Sequence, residues 1–381
     1  MRKQLTQKPL FCYKSTFTAD RIYNLTNLNT FVFHINNSMS FSFVPKHHTL
    51  IGVFCLGTIC FAPPIMADES QSWLDSINVS GYAKVVAEAP NKAATSIALD
   101  DLSIFVSGKF NRWFNPFLEA EAYNINIWKE SDGFQFNSVN LDIERLYNDM
   151  ELTDTDTLRA GKFLASINHW NIIHAAPLVW TTNRPITSTY SRANYITGLQ
   201  MRHEFDALSG NALEVYVQPA VEFNHKPASS HERQYETVAG ARWILNEDLD
   251  YYVGVAFQHA QVAHSNEMRN SISIDGNWQH ELFELESEFL FTKVDSSELH
   301  QHGNDWGGYV QMVVPIINKF DLISRYEHFE FANKLEATNT ELGGIVYRPM
   351  PSLSFKLEWQ QTQGSVFHNQ TGLYSSVAVL F

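Results

Sequence analysis

Large apolar residues alternate with polar residues along many short segments of this chain, and this two-residue period is the strongest constraint on its fold. The segments 213–221, 271–278 and 353–359 show it most clearly. Successive side chains of a β-strand point to opposite faces, so this period predicts strands with one apolar face and one polar face. After residue 67, no apolar run reaches the 18 residues expected of a transmembrane helix.

The alternating segments recur about every 20 residues, which fits spanning strands of about 10 residues joined by turns and loops. The connections after even-numbered segments are short, and those after odd-numbered segments are longer, among them 129–136, 164–193, 224–232, 295–304 and 364–370. Short turns at one end and long loops at the other are typical of outer-membrane barrels. Sixteen segments are predicted, beginning near residues 77, 97, 117, 137, 156, 194, 212, 233, 249, 268, 282, 305, 319, 338, 351 and 371.

The predicted fold class is therefore all-β: a transmembrane antiparallel β-barrel of about 16 strands, with short periplasmic turns and long extracellular loops. A soluble β-sandwich or β-propeller would show the same alternation, but no blade-length repeat is visible and the polar faces would be hard to bury. Aromatic residues also gather at segment ends, as expected where amphipathic rings meet a membrane interface. They are Trp113, Phe114, Trp128, Trp243, Tyr251, Trp278, Trp306, Tyr347 and Trp359.

The first 67 residues read as a leader rather than as part of the barrel. Residues 49–61 are uncharged and largely apolar, a basic group at 46–48 precedes them, and the small residue Ala67 follows. This pattern predicts a secretory signal peptide over 39–67, cleaved after Ala67. Because Met39 stands where such a peptide would begin, residues 1–38 are interpreted as a misannotated or dispensable extension; a genuine polar extension removed with the signal is the alternative.

The mature chain predicted by this division, residues 68–381, is acidic and free of cysteine. Cys12, Cys55 and Cys60 all precede the cleavage site, so no disulfide framework is expected. Removing the six basic residues and one acidic residue of the first 67 leaves 21 basic and 40 acidic residues, a net charge of −19. Such a charge argues against a nucleic-acid partner, whose binding needs a basic surface.

The last ten residues, Gly372–Phe381, resemble the closing strand of Gram-negative porins. Apolar residues stand at alternate positions before a terminal Phe381, with Ser375 as a small polar exception. The resemblance implies a sixteen-stranded porin of the outer membrane, with Phe381 as the signal read by the barrel-assembly machinery. It also implies contact with outer-membrane lipid and lipopolysaccharide, and a homotrimer as a candidate assembly. The stretch 158–163 more weakly resembles a strand of phosphate-selective-type porins, and no substrate is carried over from it.

The third long loop, residues 164–193, corresponds in position and length to the porin loop that folds inward and narrows the pore. From Lys162 to Arg202 the chain contains no Asp or Glu. A basic loop facing acidic inner walls would set up a field across the constriction that orients dipolar solutes and favours ions of one sign. The candidate constriction residues are Arg159, Lys162, Arg184, Arg192, Arg202, Glu284, Glu286 and Glu288.

Two readings remain open for these loop residues. Arg184 and Arg192 either line the solute path or anchor the loop to wall carboxylates. Trp170, Trp180 and Tyr190 either stack on a solute or hold the loop against the barrel. His169 and His174 have no convincing metal-ligand spacing, so no metal and no cofactor is expected.

Enzyme signatures are poor: the sequence has no Gly-x-Ser-x-Gly elbow, no phosphate-binding glycine loop and no His-Glu-x-x-His. The predicted function is passive diffusion of small hydrophilic solutes through an outer-membrane porin, without catalysis. A channel selective for anionic or zwitterionic solutes is the first alternative, and an outer-membrane hydrolase of fewer strands is the second.

Overall fold

The computed structural model describes most of the chain after residue 75. The predicted signal peptide, the extension before it and His174 lie outside the described residues. Within the described part, no helix is both long and apolar enough to cross a membrane. The described ranges are 76–135, 139–173, 175–205, 210–224, 233–247, 250–296, 301–332, 336–364 and 370–381.

In the part of the chain that the structure describes, seventeen strands make up a single antiparallel sheet. The first nine are β1 (Ile77–Pro90), β2 (Ser96–Gly108), β3 (Asn115–Lys129), β4 (Gly133–Phe134), β5 (Asn140–Glu151), β6 (Asp156–Leu164), β7 (Tyr195–Glu204), β8 (Ala212–Gln218) and β9 (Tyr235–Leu245). The remaining eight are β10 (Tyr251–Val262), β11 (Met268–His280), β12 (Phe283–Ser296), β13 (Gln301–Ile317), β14 (Phe320–Glu330), β15 (Thr338–Met350), β16 (Leu353–Gln363) and β17 (Gly372–Leu380).

The sheet closes on itself into a barrel. Each long strand pairs with its neighbour in sequence, and β17 pairs with β1 from Tyr82↔Leu380 to Pro90↔Gly372. The two-residue β4 pairs only with β3, which also pairs directly with β5. Sixteen strands therefore form the wall, which confirms the predicted fold class and strand number. Within the described ranges, every wall strand therefore has a hydrogen-bonded neighbour on both sides, as a lipid environment requires.

The faces of the wall are inverted relative to a water-soluble barrel. Along β16, Lys356 is 3% exposed whereas its neighbour Leu357 is 51% exposed. Along β11, Ser273 and Asp275 are buried whereas Ile272 and Ile274 are exposed. Apolar surface in water costs roughly 25 cal/mol per Å², a penalty that disappears when hydrocarbon surrounds it. The exterior is thus built for a bilayer and the interior for polar contacts.

The connections divide into two ends, here called the turn side and the loop side. Turn-side connections contain two to seven residues, for example 152–155 between β5 and β6. The longest loop-side connection runs from 165 to 194, between β6 and β7, within one residue of the predicted bounds at each end. This segment is called the insert below. It contains a four-residue helix, α1 (His169–Ile172), and one 3-10 turn, Ile186–Ser188.

One predicted long loop is wrong. Residues 295–304 belong largely to strands, because β12 continues to Ser296 and β13 begins at Gln301, with these two residues paired. The alternation is hidden there by consecutive polar residues, which a strand tolerates where it extends beyond the apolar zone.

Candidate functional site

The insert lies inside the barrel and contacts the inner wall on many sides. Near its first end, Ser166 Oγ donates a hydrogen bond to Glu214 of β8. Near its other end, the backbone N–H of Ala193 donates to the side-chain Oε1 of Gln258 in β10 at 2.8 Å, and Gln258 Nε2 donates to the carbonyl of Ala193 at 3.0 Å. Between them, Ser191 Oγ donates to Asp305 of β13 at 2.5 Å. The insert is thus fixed against the wall over much of its length.

Cationic wall side chains bind carbonyl groups in the middle of the insert. Lys356 Nζ donates to the carbonyls of Ala176 and Thr181 at 3.0 and 3.2 Å. Arg325 and Arg348 likewise donate to the carbonyls of Asn183 and Val179, at 3.0 and 3.3 Å. Irregular backbone inside a barrel leaves carbonyls without strand or helix partners, and these cations supply them.

Carboxylates of the same wall accept from backbone amides of the insert. Thr182 N donates to Glu358 Oε1 at 2.6 Å, and Ile186 N donates to Glu327. Cationic wall side chains thus donate to carbonyls of the insert, and wall carboxylates accept from its amides. These hydrogen bonds explain how a segment with little regular structure keeps a defined path.

Arg192 forms an ion pair between the insert and the wall. Its Nη1 lies 3.2 Å from Glu288 Oε1, and both side chains are 0% exposed. Asn168 Nδ2 donates to the same glutamate oxygen. This is the anchoring arrangement that the sequence left open for Arg192.

Of the three candidate aromatic residues, Trp180 and Tyr190 contact residues outside the insert, and Trp170 is buried. Trp170 is almost fully buried. Trp180 donates from Nε1 to Glu284 at 3.1 Å and lies 3.7 Å below the guanidinium of Arg348. Tyr190 makes edge-to-face contacts with Phe329 of β14 and with Phe331, which directly follows that strand. Each ring has a packing role in this structure.

His169 is packed in the same way. Its ring lies 4.9 Å from that of Tyr252 in β10. Burial, with a smaller contribution from the positive charge of Arg242, lowers the pKa of His169 to about 3. The imidazole is therefore neutral at physiological pH. No group of three or more metal-ligating side chains occurs among the described residues.

A polar cavity of about 240 Å³ separates the insert from β1, β2 and β3. Arg184 lines it, and it is the one candidate constriction residue among the lining residues of this cavity. The other lining residues are Tyr82, Lys84, Asp100, Asp101, Glu121, Asn171, Thr182, Asn183, Thr189, Asn194 and Tyr195.

Opposite charges face this cavity. From the insert comes Arg184, and from the wall come three carboxylates and Lys84. Lys84 Nζ lies 2.6 Å from Asp100 Oδ2 and 3.9 Å from Asp101 Oδ2, and both aspartates are more exposed than the lysine. The wall side of the cavity thus presents carboxylate oxygens, and the insert side presents a guanidinium and amide groups. Such a site can orient charged or dipolar solutes.

Most of the other candidate residues lie away from the cavity. Glu284 and Glu286 both lie on β12. Glu284 accepts a hydrogen bond from Trp180 of the insert, and Glu286 accepts one from Gln311 Nε2 of the wall at 3.1 Å. Arg202 binds Glu204, Glu214 and Glu247 near the turn side.

Lys162 and Arg159 both lie on β6. Lys162 donates to the carbonyls of Ile143 and Asn224 and is buried. Arg159 forms a two-point contact with Asp149.

Sequence reasoning missed Lys84, Asp100 and Asp101. The pairing of β1 with β2 shifts register between Lys84 and Val85, and this irregularity brings two consecutive aspartates to the cavity. Adjacent charges within an otherwise alternating segment were the available signal of a bulge.

Comparisons with solved structures agree with this architecture. Scans of the sequence against protein-family models and against curated proteins found no match. An anion-selective porin from Comamonas acidovorans superposes with a TM-score of 0.57 at 11% identity, covering 80% of this chain and 99% of that one.

Two further structures are equally similar. The trimer form of OmpT, an outer-membrane protein of Vibrio cholerae, gives a TM-score of 0.58 at 10% identity, covering 80% of this chain and 98% of that one. Salmonella typhi OmpF, in complex with daunomycin, gives 0.57 at 12% identity, covering 81% of this chain and 98% of that one. The chain therefore has the sixteen-stranded β-barrel fold of outer-membrane porins.

Proposed function

We propose that this protein is an outer-membrane porin that lets small hydrophilic solutes cross by passive diffusion. The observation that carries the proposal is the charged cavity between the insert and β1–β3, inside a barrel with an apolar exterior. A sixteen-stranded barrel is wide enough for an aqueous channel, and an inward segment sets its narrowest section.

Reconstitution into planar lipid bilayers tests the proposal. The folded protein should produce stepwise currents whose size rises with salt concentration. A folded, inserted protein that gives no current above the lipid baseline would contradict it.

The cavity also supports the more selective alternative, a channel favouring anionic or zwitterionic solutes. A zwitterion can place its cationic group near Asp100 or Asp101 and its anionic group near Arg184. Liposome swelling compares solutes of similar size, such as glycine, lactate and ethanolamine. Faster entry of glycine or lactate than of ethanolamine would support selectivity, and equal rates would leave only general diffusion.

We place the protein in the outer membrane of a Gram-negative bacterium, surrounded by lipid and lipopolysaccharide and inserted by the barrel-assembly machinery. The mature chain should begin near Asp68. Mass spectrometry of the native N-terminus tests this, and a protein that keeps residues 49–61 in the inner membrane would contradict it.

A homotrimer is the assembly we propose, because one structural relative is described in a trimer form. The mass of the detergent-solubilised protein tests it.

We also propose that the chain is not an enzyme. The closest approach to a hydrolase constellation that we find is His203 Nδ1, 2.8 Å from Asp156 Oδ1 on the turn side. The hydroxyl groups that bind this aspartate come from Thr153 and Thr155 rather than from a serine. Release of fatty acid from phospholipid by the purified protein, lost in His203→Ala, would contradict the proposal.

A further inference from the structure

Two guanidinium groups lie on one stacked aromatic pair in the inner wall, on the turn side of the cavity. The rings of Phe117 in β3 and Tyr147 in β5 stack with centroids 5.0 Å apart and planes 17° from parallel. The Cζ of Arg145 lies 4.7 Å from the Phe117 centroid, and that of Arg159 lies 4.0 Å from the Tyr147 centroid. Cation–π contacts of this kind hold a guanidinium flat and restrict its rotation.

The position of this stack follows from strand register. Arg145 pairs with Glu119, two residues nearer the turn side than the cavity residue Glu121. Arg159 pairs with Asp149, two residue pairs from the last pair before the 152–155 turn. A solute that leaves the cavity toward the turn side would therefore next pass the part of the wall that contains Arg145 and Arg159.

Each guanidinium is bound by a carboxylate that is more deeply buried than itself. Arg145 Nε donates to Glu119, and Arg159 donates from Nε and Nη2 to Asp149 at 2.7 and 2.9 Å. The arginine side chains keep 16% and 26% of their surface exposed, whereas those of Glu119 and Asp149 keep 0% and 7%. In each ion pair the arginine is thus the more exposed partner, and the carboxylate that neutralises it is the more buried one.

Donors remain on both guanidiniums. Among the described residues, no hydrogen bond uses either Nη of Arg145 or the Nη1 of Arg159. A planar group with unused N–H donors matches the oxygens of a carboxylate or phosphate. Because each arginine is already neutralised by its own carboxylate, binding should be weak, as a passage requires for release.

We propose that Arg145 and Arg159 form a weak oxyanion-binding station on the turn side of the constriction, oriented by the Phe117–Tyr147 stack. The inference rests on the proposed channel function and names the solute chemistry that the passage favours, carboxylate or phosphate groups. The station and the cavity would then handle one solute in succession.

The test removes the charges of the station without changing net charge. The variant R145Q/E119Q/R159Q/D149N replaces both ion pairs by neutral groups of similar size, so no buried carboxylate loses its partner. The matched control K109Q/E151Q removes the turn-side ion pair of Lys109 and Glu151, outside the stack. Heat-modifiable gel migration verifies that both variants fold. If the quadruple variant does not fold, Tyr147→Leu, which removes one ring of the stack and keeps both arginines, is the second test.

Inorganic phosphate is the probe, added to the turn-side compartment during chloride conduction. We expect phosphate to reduce the chloride current of the wild type and of the control. The half-blocking concentration should rise about tenfold in the quadruple variant, the change expected for loss of about one charge-assisted hydrogen bond. Absence of block in the wild type, or the same half-blocking concentration in the quadruple variant, would overturn the proposal.

Calorimetric titration of the detergent-folded protein with phosphate separates this inference from the channel function. Phosphate binding that depends on the two arginines, in a protein that conducts no ions, would support the station and contradict only the channel. Conductance without any such binding would support the channel and contradict only the station.

Discussion

Arg184 and Arg192 belong to the same insert, but their surroundings differ. Arg184 lines the polar cavity, whereas Arg192 is fully buried against Glu288. Sequence composition alone treats them alike, because both occur in a long stretch without acidic residues. The structure gives them different expected roles.

Replacing Arg184 with Gln should shift ion selectivity toward cations without loss of folded protein. A unit charge acting across about 5 Å of water changes the local concentration of each ion about fourfold, in opposite directions for cations and anions, so the cation-to-anion permeability ratio should rise up to about sixteenfold. Reversal potentials across a salt gradient measure it. Arg192→Gln is the comparison: it leaves Glu288 without its ion-pair partner, which costs about 3 to 5 kcal/mol, and should reduce the yield of folded barrel. An unchanged reversal potential in folded Arg184→Gln would show that this side chain does not act on permeating ions.

Gly81 should be as important to barrel closure as the terminal residue that it faces. Gly81 and Phe381 exchange two backbone hydrogen bonds of 2.8 and 2.9 Å. A Cβ on Gly81 would lie 2.9 Å from the Phe381 ring and 2.4 Å from the carbonyl oxygen of Ser103. We therefore expect Gly81→Val, like deletion of Phe381, to impair folding strongly. Gly343→Val is the control, since nothing lies within 4 Å of a Cβ there. Heat-modifiable migration reports folding, and equal folding of both glycine variants would refute the expectation.

At the scale of elements, the strands were predictable because apolar residues that face lipid alternate with polar residues that face the interior within each strand. In β16, Phe355 and Leu357 face outward, and Ser354 and Lys356 face inward, so the period alone gives the strand and its orientation. Turn-side connections were predictable for the same reason, since alternation stops where a strand leaves the membrane. This signal weakens at the ends of β12 and β13, where both faces are polar.

The path of the insert could not be predicted in the same way. Its length and position indicated that it enters the barrel, but many of its partners lie more than 100 residues away in the sequence, such as Glu284 for Trp180 and Glu327 for Ile186. A single sequence has no local pattern for such contacts. The basic composition suggests a loop whose charges face the pore. Arg192 instead forms a buried ion pair with Glu288 of the wall.

Lys356→Met should loosen the insert while leaving the barrel folded. The change removes two hydrogen bonds to the carbonyls of Ala176 and Thr181, and a charged bond of this type contributes about 1.5 to 3 kcal/mol. Removing a buried charge offsets part of this loss, so the local opening free energy should fall by about 2 kcal/mol. Faster amide exchange in 176–183 and noisier single-channel currents would report it. Lys293→Met, at an exposed position of β12, should change neither measurement; identical exchange in the two variants would argue against a role of Lys356 in seating the insert.

The whole molecule joins two surfaces of opposite character through one thin wall. The interior needs carboxylates and cations to satisfy the insert, and the exterior needs apolar side chains to face lipid. Both demands fall on the same strands because neighbouring residues point to opposite sides. Function therefore depends on the inward set, whereas residence in the membrane depends on the outward set.

The outward set should show a dependence on membrane depth within a single strand. Ile274 lies at the middle of β11 and Trp278 near its turn-side end, and both side chains are about half exposed on the outer face. An arginine at the bilayer midplane costs about 2 to 4 kcal/mol, and the cost falls to about 0 to 1 near the interface. Ile274→Arg should therefore destabilise the liposome-folded protein by several times more than Trp278→Arg in a guanidinium titration followed by tryptophan fluorescence. Because Trp278→Arg also removes one fluorophore, band shift on gels provides a second measure of the folded fraction. Equal free energies of unfolding for the two variants would mean that the centre of β11 does not lie at the centre of the bilayer, and the inverted faces of the barrel would then need another explanation.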